Sequence, residues 1–304
     1  MLACACCFPH FLTSPPLMKL LDGKKVSQEI YTKLQGEVAA LQKKNIIPRL
    51  ALILVGEDPA SLSYIKQKRK ASEEIGIVTD FLQYQAEEVD TENLTAKIRS
   101  LNIDHKVHGI LVQLPLPEHV SASEVIKAIE PHKDVDGFSA PNVGKMFLGP
   151  EFEDMVPCTP MGIITLLEYY KIEIAGKNVV IVGSSNIVGK PVAVMLSNRK
   201  ATVTICNSKT KDLSAHTKKA DILIVAVGKA KLITADMVKK GAVVVDVGTN
   251  RTKDGKLIGD VDFEKVAPKC SYISPVPGGV GPMTVAGLMQ NIVKAAERLA
   301  LKKS

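Results

Sequence analysis

The 304-residue sequence contains no tryptophan, and aromatic residues make up only 4% of it. Its net charge of +7 comes from 39 Lys and Arg against 32 Asp and Glu, and these charges are scattered rather than gathered in a long basic block. A nucleic-acid-binding surface needs clustered positive charge and aromatic rings that stack on bases. We therefore expect no nucleic-acid partner and a small anionic substrate.

The sequence also has no apolar run of membrane-spanning length, so we expect no membrane partner. Residues 1–17 contain no Arg and no Lys before their apolar run, which argues against a secretory signal and a mitochondrial presequence. We expect these residues to form a disordered tail before a folded part that begins at Met18, and we expect a cytoplasmic protein.

Paired cysteines are missing as well. The six cysteines show neither zinc-site spacing nor the pattern of a secreted disulfide framework; they are Cys4, Cys6, Cys7, Cys158, Cys206 and Cys270. We expect no metal.

Helical and strand patterns alternate from Met18 onward. The predicted strands are 49–55, 78–84 and 109–113 in the first half and 179–182, 202–206, 222–227 and 242–247 in the second. The predicted helices are 26–41, 60–75, 91–101, 121–129, 161–170 and 285–301. This rhythm predicts an α/β fold of two domains with parallel sheets, the second of them a Rossmann-like dinucleotide-binding domain.

The stretch 179–191 reads as a buried strand, a glycine turn and a helix start. Gly183 permits the turn, and Gly189 permits close approach of the helix to the strand or to a phosphate. Ser185 replaces the middle glycine of the dinucleotide fingerprint, so an ordinary strand-to-helix turn stays open. A Walker loop is excluded because five residues separate the glycines and Pro191 follows Lys190.

Four further segments have compositions that core packing does not explain. Tyr64 and Lys68 share one helix face, although a solvated face is the plainer interpretation. Gln113 ends a buried strand, where it serves either a ligand or a structural hydrogen bond. The run 133–137 is either a site or an Asx-type turn, and the Pro- and Gly-rich run 275–284 is typical of a loop that wraps a ligand.

Together these segments resemble the bifunctional methylenetetrahydrofolate dehydrogenase and methenyltetrahydrofolate cyclohydrolase family from about Met18 to the end. The matching motifs occur in one order: Tyr64-x3-Lys68, Val112-Gln113-Leu-Pro-Leu-Pro, Lys133-Asp-Val-Asp136-Gly, Pro157-Cys-Thr-Pro160-x-Gly162, Gly183-x-Ser185-x-x-Val188-Gly189-x-Pro191, Asp246-Val-Gly248 and Pro275-Val-Pro-Gly-Gly-Val-Gly-Pro-Met-Thr284.

The resemblance implies two α/β domains around a cleft, a homodimer, and a role in one-carbon metabolism and purine biosynthesis. It implies a folate-binding catalytic domain at 18–157, onto which helix 285–304 packs back, and an NAD(P)-binding domain at 158–284. NADP-linked oxidation of 5,10-methylenetetrahydrofolate would be followed by hydrolysis of the methenyl product to 10-formyltetrahydrofolate.

The resemblance also implies site residues. Tyr64 would stack on the folate, Asp136 would hydrogen-bond the pterin, and Lys68 with Gln113 would serve the hydrolysis. The implied substrate-binding set is Tyr64, Lys68, Val112, Gln113, Leu114, Asp136, Pro277, Gly278 and Gly279. The implied cofactor-binding set is Gly183, Ser184, Ser185, Val188, Gly189, Ser208 and Thr249.

Two positions depart from the pattern of NADP-specific members. Ser184 and Asn207 stand where such members commonly have Arg and His, which weakens the case for a 2′-phosphate. However, the run 206–209 also lacks the acidic residue that an NAD site offers to the ribose. Ser208 and Lys209 favour NADP, and NAD stays open.

Two other classes remain as alternatives. Another nicotinamide dehydrogenase would place an ionisable residue at the reacting carbon and would not need the pair of Tyr64 and Lys68. A non-catalytic nucleotide sensor would have no use for Lys68, Gln113 and Asp136 together.

Overall fold

The computed structural model describes residues 18–301. The expected tail at 1–17 and the last three residues of the expected C-terminal helix lie outside this range. Within the described range, no helix is both long and apolar enough to cross a bilayer.

Eleven strands and ten helices alternate along residues 18–301. The strands are β1 Lys19–Leu20, β2 Arg49–Val55, β3 Val78–Tyr84, β4 Gly109–Val112, β5 Asn178–Val182, β6 Thr202–Cys206, β7 Ile222–Val225, β8 Val243–Asp246, β9 Asn250–Arg251, β10 Leu257–Ile258 and β11 Tyr272–Ile273. The helices are α1 Gly23–Gln42, α2 Pro59–Ile75, α3 Thr91–Ile103, α4 Ala122–Ala128, α5 Ala140–Met146, α6 Cys158–Tyr169, α7 Gly189–Asn198, α8 Leu213–Thr217, α9 Phe263–Val266 and α10 Val280–Leu301.

The smaller parallel sheet has the order β3-β2-β4. Its central strand β2 is apolar from Leu50 to Val55 because both of its faces are covered. Alternate residues enter different cores: Leu50, Leu52 and Leu54 pack on one side, and Ala51, Ile53 and Val55 on the other. This sheet brings the ends of β2 and β4 to one edge.

The larger sheet is parallel, with the order β1-β11-β8-β7-β5-β6. Strand β5 lies between β6 and β7, so the chain reverses its direction of winding at β5. Ligands of open parallel sheets bind at the carboxyl ends of the strands beside such a switch point. The glycine turn after β5 therefore occupies the position that favours dinucleotide binding.

The first strand and the last helix of the described chain each join the sheet that is formed by the more distant part of the sequence. Strand β1 pairs with β11 in the larger sheet, although the sequence placed residues 19–20 with the first domain. Helix α10 packs back on the smaller sheet, where Leu288, Met289 and Ile292 share a core with Leu50.

Two segments contain helical turns that the sequence did not predict. Helix α10 begins at Val280 rather than at residue 285, because Pro282 lies in its first turn, where a missing N–H costs no helical hydrogen bond. Helix α5 forms inside the Pro- and Gly-rich stretch 141–160, and Pro141 again lies in a first turn.

Candidate functional site

Lys68, which is buried, and Gln113, which is half-buried, form a hydrogen-bonded pair between α2 and the end of β4. The Lys68 Nζ donates to Gln113 Oε1 at 2.9 Å, and Gln113 Nε2 donates to the Leu114 carbonyl at 2.8 Å. Gln113 thus holds the amine while its own amide group is held by the backbone. Since β4 ends at Val112, the pair lies at the carboxyl edge of the smaller sheet.

Helix α2 fixes the position of this amine. It begins after Asp58, whose carboxylate accepts the Ser61 N–H at 2.8 Å, and it ends at Gly76 in the left-handed conformation. Lys68 is only 7% exposed, so the helix face that it shares with Tyr64 is not a solvated one. Tyr64 is half-buried one turn earlier on the same face.

The two carboxylates of the run 133–137 have different tasks. Asp134 is buried and accepts the N–H groups of Gly137 at 2.9 Å and Ser139 at 2.7 Å, so it builds the Asx-type turn. The Lys133 ammonium is also structural, because it donates to two backbone carbonyls. Asp136 takes no part in that turn and is the carboxylate left for a ligand.

The surroundings of Asp136 favour its protonated form. Burial raises the pKa of this carboxyl, and the opposing charge of Lys68 only partly offsets the effect. The neighbouring Cys158 thiol donates to the Val135 carbonyl at 3.3 Å, and its pKa is raised well above the usual value by burial and then by Asp136. A carboxyl with a raised pKa suits hydrogen bonding to a polar heterocycle.

Asn291, which no sequence motif indicated, supports the backbone near Asp136 and Cys158. Its amide nitrogen donates to the carbonyls of Val135 at 2.8 Å and Val156 at 3.1 Å. Helix α10 therefore braces the backbone shortly before Asp136 and shortly before Cys158. The sequence did contain one sign of this role, because Asn291 is a polar residue on the apolar face of the predicted helix 285–301.

A cavity of about 140 Å³ separates α2 from the larger sheet. Tyr64 lines it from one side, Thr249 from the other, and Pro277, Gly278 and Gly279 between them. The Tyr64 hydroxyl also lies 3.9 Å from the position of a Cβ at Gly281. The structure thus brings Tyr64, the 275–282 run and Thr249 to one cavity.

The turn after β5 needs both of its glycines. Gly183 has φ +123°, and a Cβ there would lie 2.2 Å from the Ala226 carbonyl oxygen. A Cβ at Gly189 would lie 2.1 Å from the Gly183 carbonyl oxygen. Ser185 Oγ accepts the N–H groups of Val188 at 3.1 Å and Gly189 at 3.4 Å, so this serine holds the turn that leads into α7.

The remaining expected residues contribute less side-chain chemistry. Val112 packs its side chain in the core beside Ile53, so only its backbone faces the site. Ser184 is half-buried and Ser208 is exposed. Asn207 Oδ1 accepts the Lys209 N–H at 2.9 Å, so this side chain shapes its own loop.

Two buried aspartates hold the loops after β7 and β8: Asp246, which belongs to one of the matching motifs, and Asp260, which no motif indicated. Asp260 accepts the N–H groups of Val227 at 2.7 Å and Gly228 at 2.9 Å, and the Asn250 amide at 2.9 Å. Asp246 accepts three N–H groups, including that of Asp260 at 3.0 Å, yet burial raises its pKa to about 7. These carboxylates fix the backbone beside Thr249.

Fold and site together define an α/β enzyme whose second domain has the features of a dinucleotide-binding domain. Residues 21–136 match the catalytic domain of the tetrahydrofolate dehydrogenase/cyclohydrolase family, and residues 157–300 match its NAD(P)-binding domain. The chain belongs to the tetrahydrofolate dehydrogenase/cyclohydrolase family.

Individual relatives agree along nearly their whole length. The bifunctional protein FolD of Bacillus licheniformis is 55% identical over 279 residues, which are 92% of this chain and 97% of that protein. The crystal structure of the methylenetetrahydrofolate dehydrogenase/cyclohydrolase FolD from Campylobacter jejuni is 51% identical, with a TM-score of 0.90 over 92% of this chain and 99% of that one. A Trypanosoma brucei FolD structure, complexed with NADP cofactor and inhibitor, is 36% identical, with a TM-score of 0.88 over 93% and 98%.

These comparisons confirm the predicted family, the α/β fold with its Rossmann-like domain, and the predicted bifunctional folate dehydrogenase and cyclohydrolase. They also confirm that the second domain is of the NAD(P)-binding type.

Proposed function

We propose that this enzyme oxidises 5,10-methylenetetrahydrofolate with NADP and hydrolyses the methenyl product to 10-formyltetrahydrofolate, and that Lys68 is the residue on which the hydrolysis depends. The observation that carries the proposal is the part-buried hydrogen bond from Lys68 to Gln113 at 2.9 Å, near Asp136.

Oxidation requires positioning more than acid–base chemistry. A hydride leaves the one-carbon bridge as the lone pair of the adjacent folate nitrogen forms the methenyl cation, so no protein base is obligatory. Tyr64 would stack on the folate and Asp136 would hydrogen-bond the pterin. The bound nicotinamide supplies the hydride acceptor.

The residues present fit a dinucleotide on the larger sheet. Gly183 and Gly189 leave a bare backbone that a Cβ would fill, at the carboxyl end of β5. Ser184, Ser185 and Val188 complete this turn. Ser208 follows β6, which pairs with β5, and Thr249 follows β8, which lies beyond β7 in the same sheet.

Hydrolysis requires proton transfer. Water attacks the methenyl carbon, loses a proton, and the C–N bond to one ring nitrogen breaks as that nitrogen gains a proton. Lys68 can accept the first proton and return it, because the Gln113 oxygen orients its amine. Gln113 is held by the Leu114 carbonyl, so its oxygen rather than its nitrogen faces the amine.

Lys68→Met tests this role, with Lys66→Met on the exposed side of α2 as the matched control. Because acid–base catalysis contributes about 10²- to 10⁴-fold, we expect cyclohydrolase turnover in Lys68→Met to fall by about 100-fold or more, and dehydrogenase turnover to fall much less. Full cyclohydrolase activity in this variant would refute the assignment.

NADP is the proposed cofactor because the run 206–209 at the end of β6 offers Ser208 and Lys209 and contains no carboxylate for a ribose diol. The Trypanosoma brucei relative is described in complex with NADP. Steady-state kinetics with both cofactors tests the choice, and a large advantage in kcat/KM for NAD would overturn it.

We also propose a homodimer. Strand β6 forms an edge of the larger sheet, and its Ile205 is 39% exposed. An uncovered edge with an apolar side chain favours pairing with a second chain. Sedimentation equilibrium should give twice the monomer mass, and a monomer at micromolar concentration would refute the proposal. The expected cytoplasmic location stays a prediction.

A further inference from the structure

We infer that Lys24 binds a carboxylate of the glutamate moiety of the folate substrate. The inference rests on the proposed function, since it assigns the far end of the same substrate. No other step of the proposed mechanism uses this residue.

The start of α1 is docked against the loop that lines the cleft. The Lys24 N–H donates to the Gly278 carbonyl at 3.1 Å. A Cβ at Gly23 would lie 1.8 Å from the Gly279 carbonyl oxygen, so only glycine permits this approach. The backbone of Lys24 is therefore fixed at the wall of the cavity.

The Lys24 side chain runs across Gly278. The position of a Cβ at Gly278 lies 3.5 Å from Lys24 Cε, 3.7 Å from Cδ and 3.9 Å from Cγ. Gly278 has φ +111°, a conformation that side chains rarely adopt, so the lysine stem lies along bare backbone. Lys24 lines the cavity together with Tyr64 and Gln67.

The Lys24 charge is unpaired in the described part of the chain, where no carboxylate forms a salt bridge with it, although Lys33 pairs with Glu37 on the same helix. The acidic residue that lines this cavity, Asp246, is buried and already accepts three N–H groups. The cavity therefore presents an available cation to an anionic ligand.

The order of contacts indicates which anion. Lys68 and Tyr64 lie one turn apart on α2, Tyr64 reaches Gly281, and Lys24 lies over Gly278 of the same run. A folate with its pterin at Lys68 and its aromatic ring at Tyr64 would direct its glutamate toward Lys24. Its carboxylates are the charged groups at that end.

Cyclohydrolase kinetics tests the inference without any cofactor. We expect Lys24→Gln to raise KM for 5,10-methenyltetrahydrofolate about fivefold, the size of a partly exposed ion pair, and to leave KM unchanged for 5,10-methenyltetrahydropteroate, which lacks the glutamate. Lys24→Arg should restore most of the loss, and Lys43→Gln at the exposed other end of α1 should have no effect.

An equal change with both substrates, or no change with the glutamylated one, would overturn the inference. A rise in KM for NADP with unchanged cyclohydrolase kinetics would overturn it too, since Lys24 would then bind a cofactor phosphate. Failure of the proposed function is distinct, because the unmodified enzyme would then hydrolyse neither methenyl substrate.

Discussion

Asp260→Asn should loosen the cofactor half of the cleft and leave the folate half intact. The Asp260 carboxylate accepts three hydrogen bonds of 2.7–2.9 Å from the loops after β7 and β8. Hydrogen bonds to charged groups contribute about 1.5–3 kcal/mol each and neutral ones about 0.5–1.5 kcal/mol. Neutralising the carboxylate therefore costs about 3 kcal/mol of unfolding free energy, without a change of size.

The size of the residue matters at this position. A Cβ at Gly248 would lie 2.1 Å from the Asp260 carboxyl carbon, so the loop after β8 fits closely around the side chain. Asparagine fits the same space, but its NH2 group must face an N–H group that donated a hydrogen bond to the carboxylate. Thr249, next to Gly248, would then lose its fixed position.

The two activities of the enzyme give the assay its internal control. We expect Asp260→Asn to raise KM for NADP about tenfold, since about 1.4 kcal/mol of lost binding corresponds to that factor. Cyclohydrolase kcat/KM should stay within about twofold, because its residues lie on the smaller sheet. Asp254→Asn, in the exposed turn between β9 and β10, is the matched control.

Urea unfolding of Asp260→Asn measures the predicted loss of stability directly. Equal losses of both activities would contradict this account, because they would show general destabilisation rather than a role in the cofactor loops. Unchanged KM for NADP together with unchanged stability would contradict it as well.

Two further predictions concern the same sheet. The folded pKa of Asp246 is about 7, above the ordinary 3.8, so the stability contributed by its neutral form is lost as pH rises from about 4 through 7. Because Asp246→Asn mimics the neutral acid, its unfolding free energy should rise relative to that of the unmodified enzyme as pH increases across this interval, by at most about 1.4 kcal/mol per pH unit. Urea unfolding at several pH values measures this difference, and a difference that does not change with pH would contradict the assignment. Gly183→Ala should weaken NADP binding at least tenfold by calorimetry, because its Cβ would lie 2.2 Å from the Ala226 carbonyl oxygen, and unchanged affinity would exclude that turn from the site.

Central strand β2 was predictable because burial on both faces demands continuous apolar residues, whereas edge strands β3 and β6 were predictable from their β-branched and aromatic residues. The predicted ranges 49–55, 78–84 and 202–206 coincide with β2, β3 and β6. Helix ends followed capping residues, as Gly76 shows at the end of α2. These features depend on local sequence and on the period of apolar residues.

The two-residue strands β1 and β11 were not predictable in the same way. Each forms only because the other, and β8 beside β11, supply hydrogen-bonding partners from distant parts of the chain. Nothing in the local composition of Lys19–Leu20 indicates a strand. Pairing of this kind belongs to the tertiary fold.

The site was predictable as a set of chemical groups, but its division of tasks was not. The sequence placed two carboxylates in the run 133–137, and the structure shows that Asp134 holds the turn while Asp136 takes no part in it. Asn291 and Asp260 act through backbone groups that lie far away in sequence. Their roles follow from contacts that no spacing rule describes.

The most direct test of the central claim measures both reactions in one preparation of the purified chain. With 5,10-methylenetetrahydrofolate and NADP, the enzyme should form NADPH, and with 5,10-methenyltetrahydrofolate alone it should consume the substrate and form 10-formyltetrahydrofolate. Lys68→Met should lower the rate of the second reaction far more than that of the first. Tight cofactor binding without turnover, or either activity alone in the unmodified enzyme, would contradict the account.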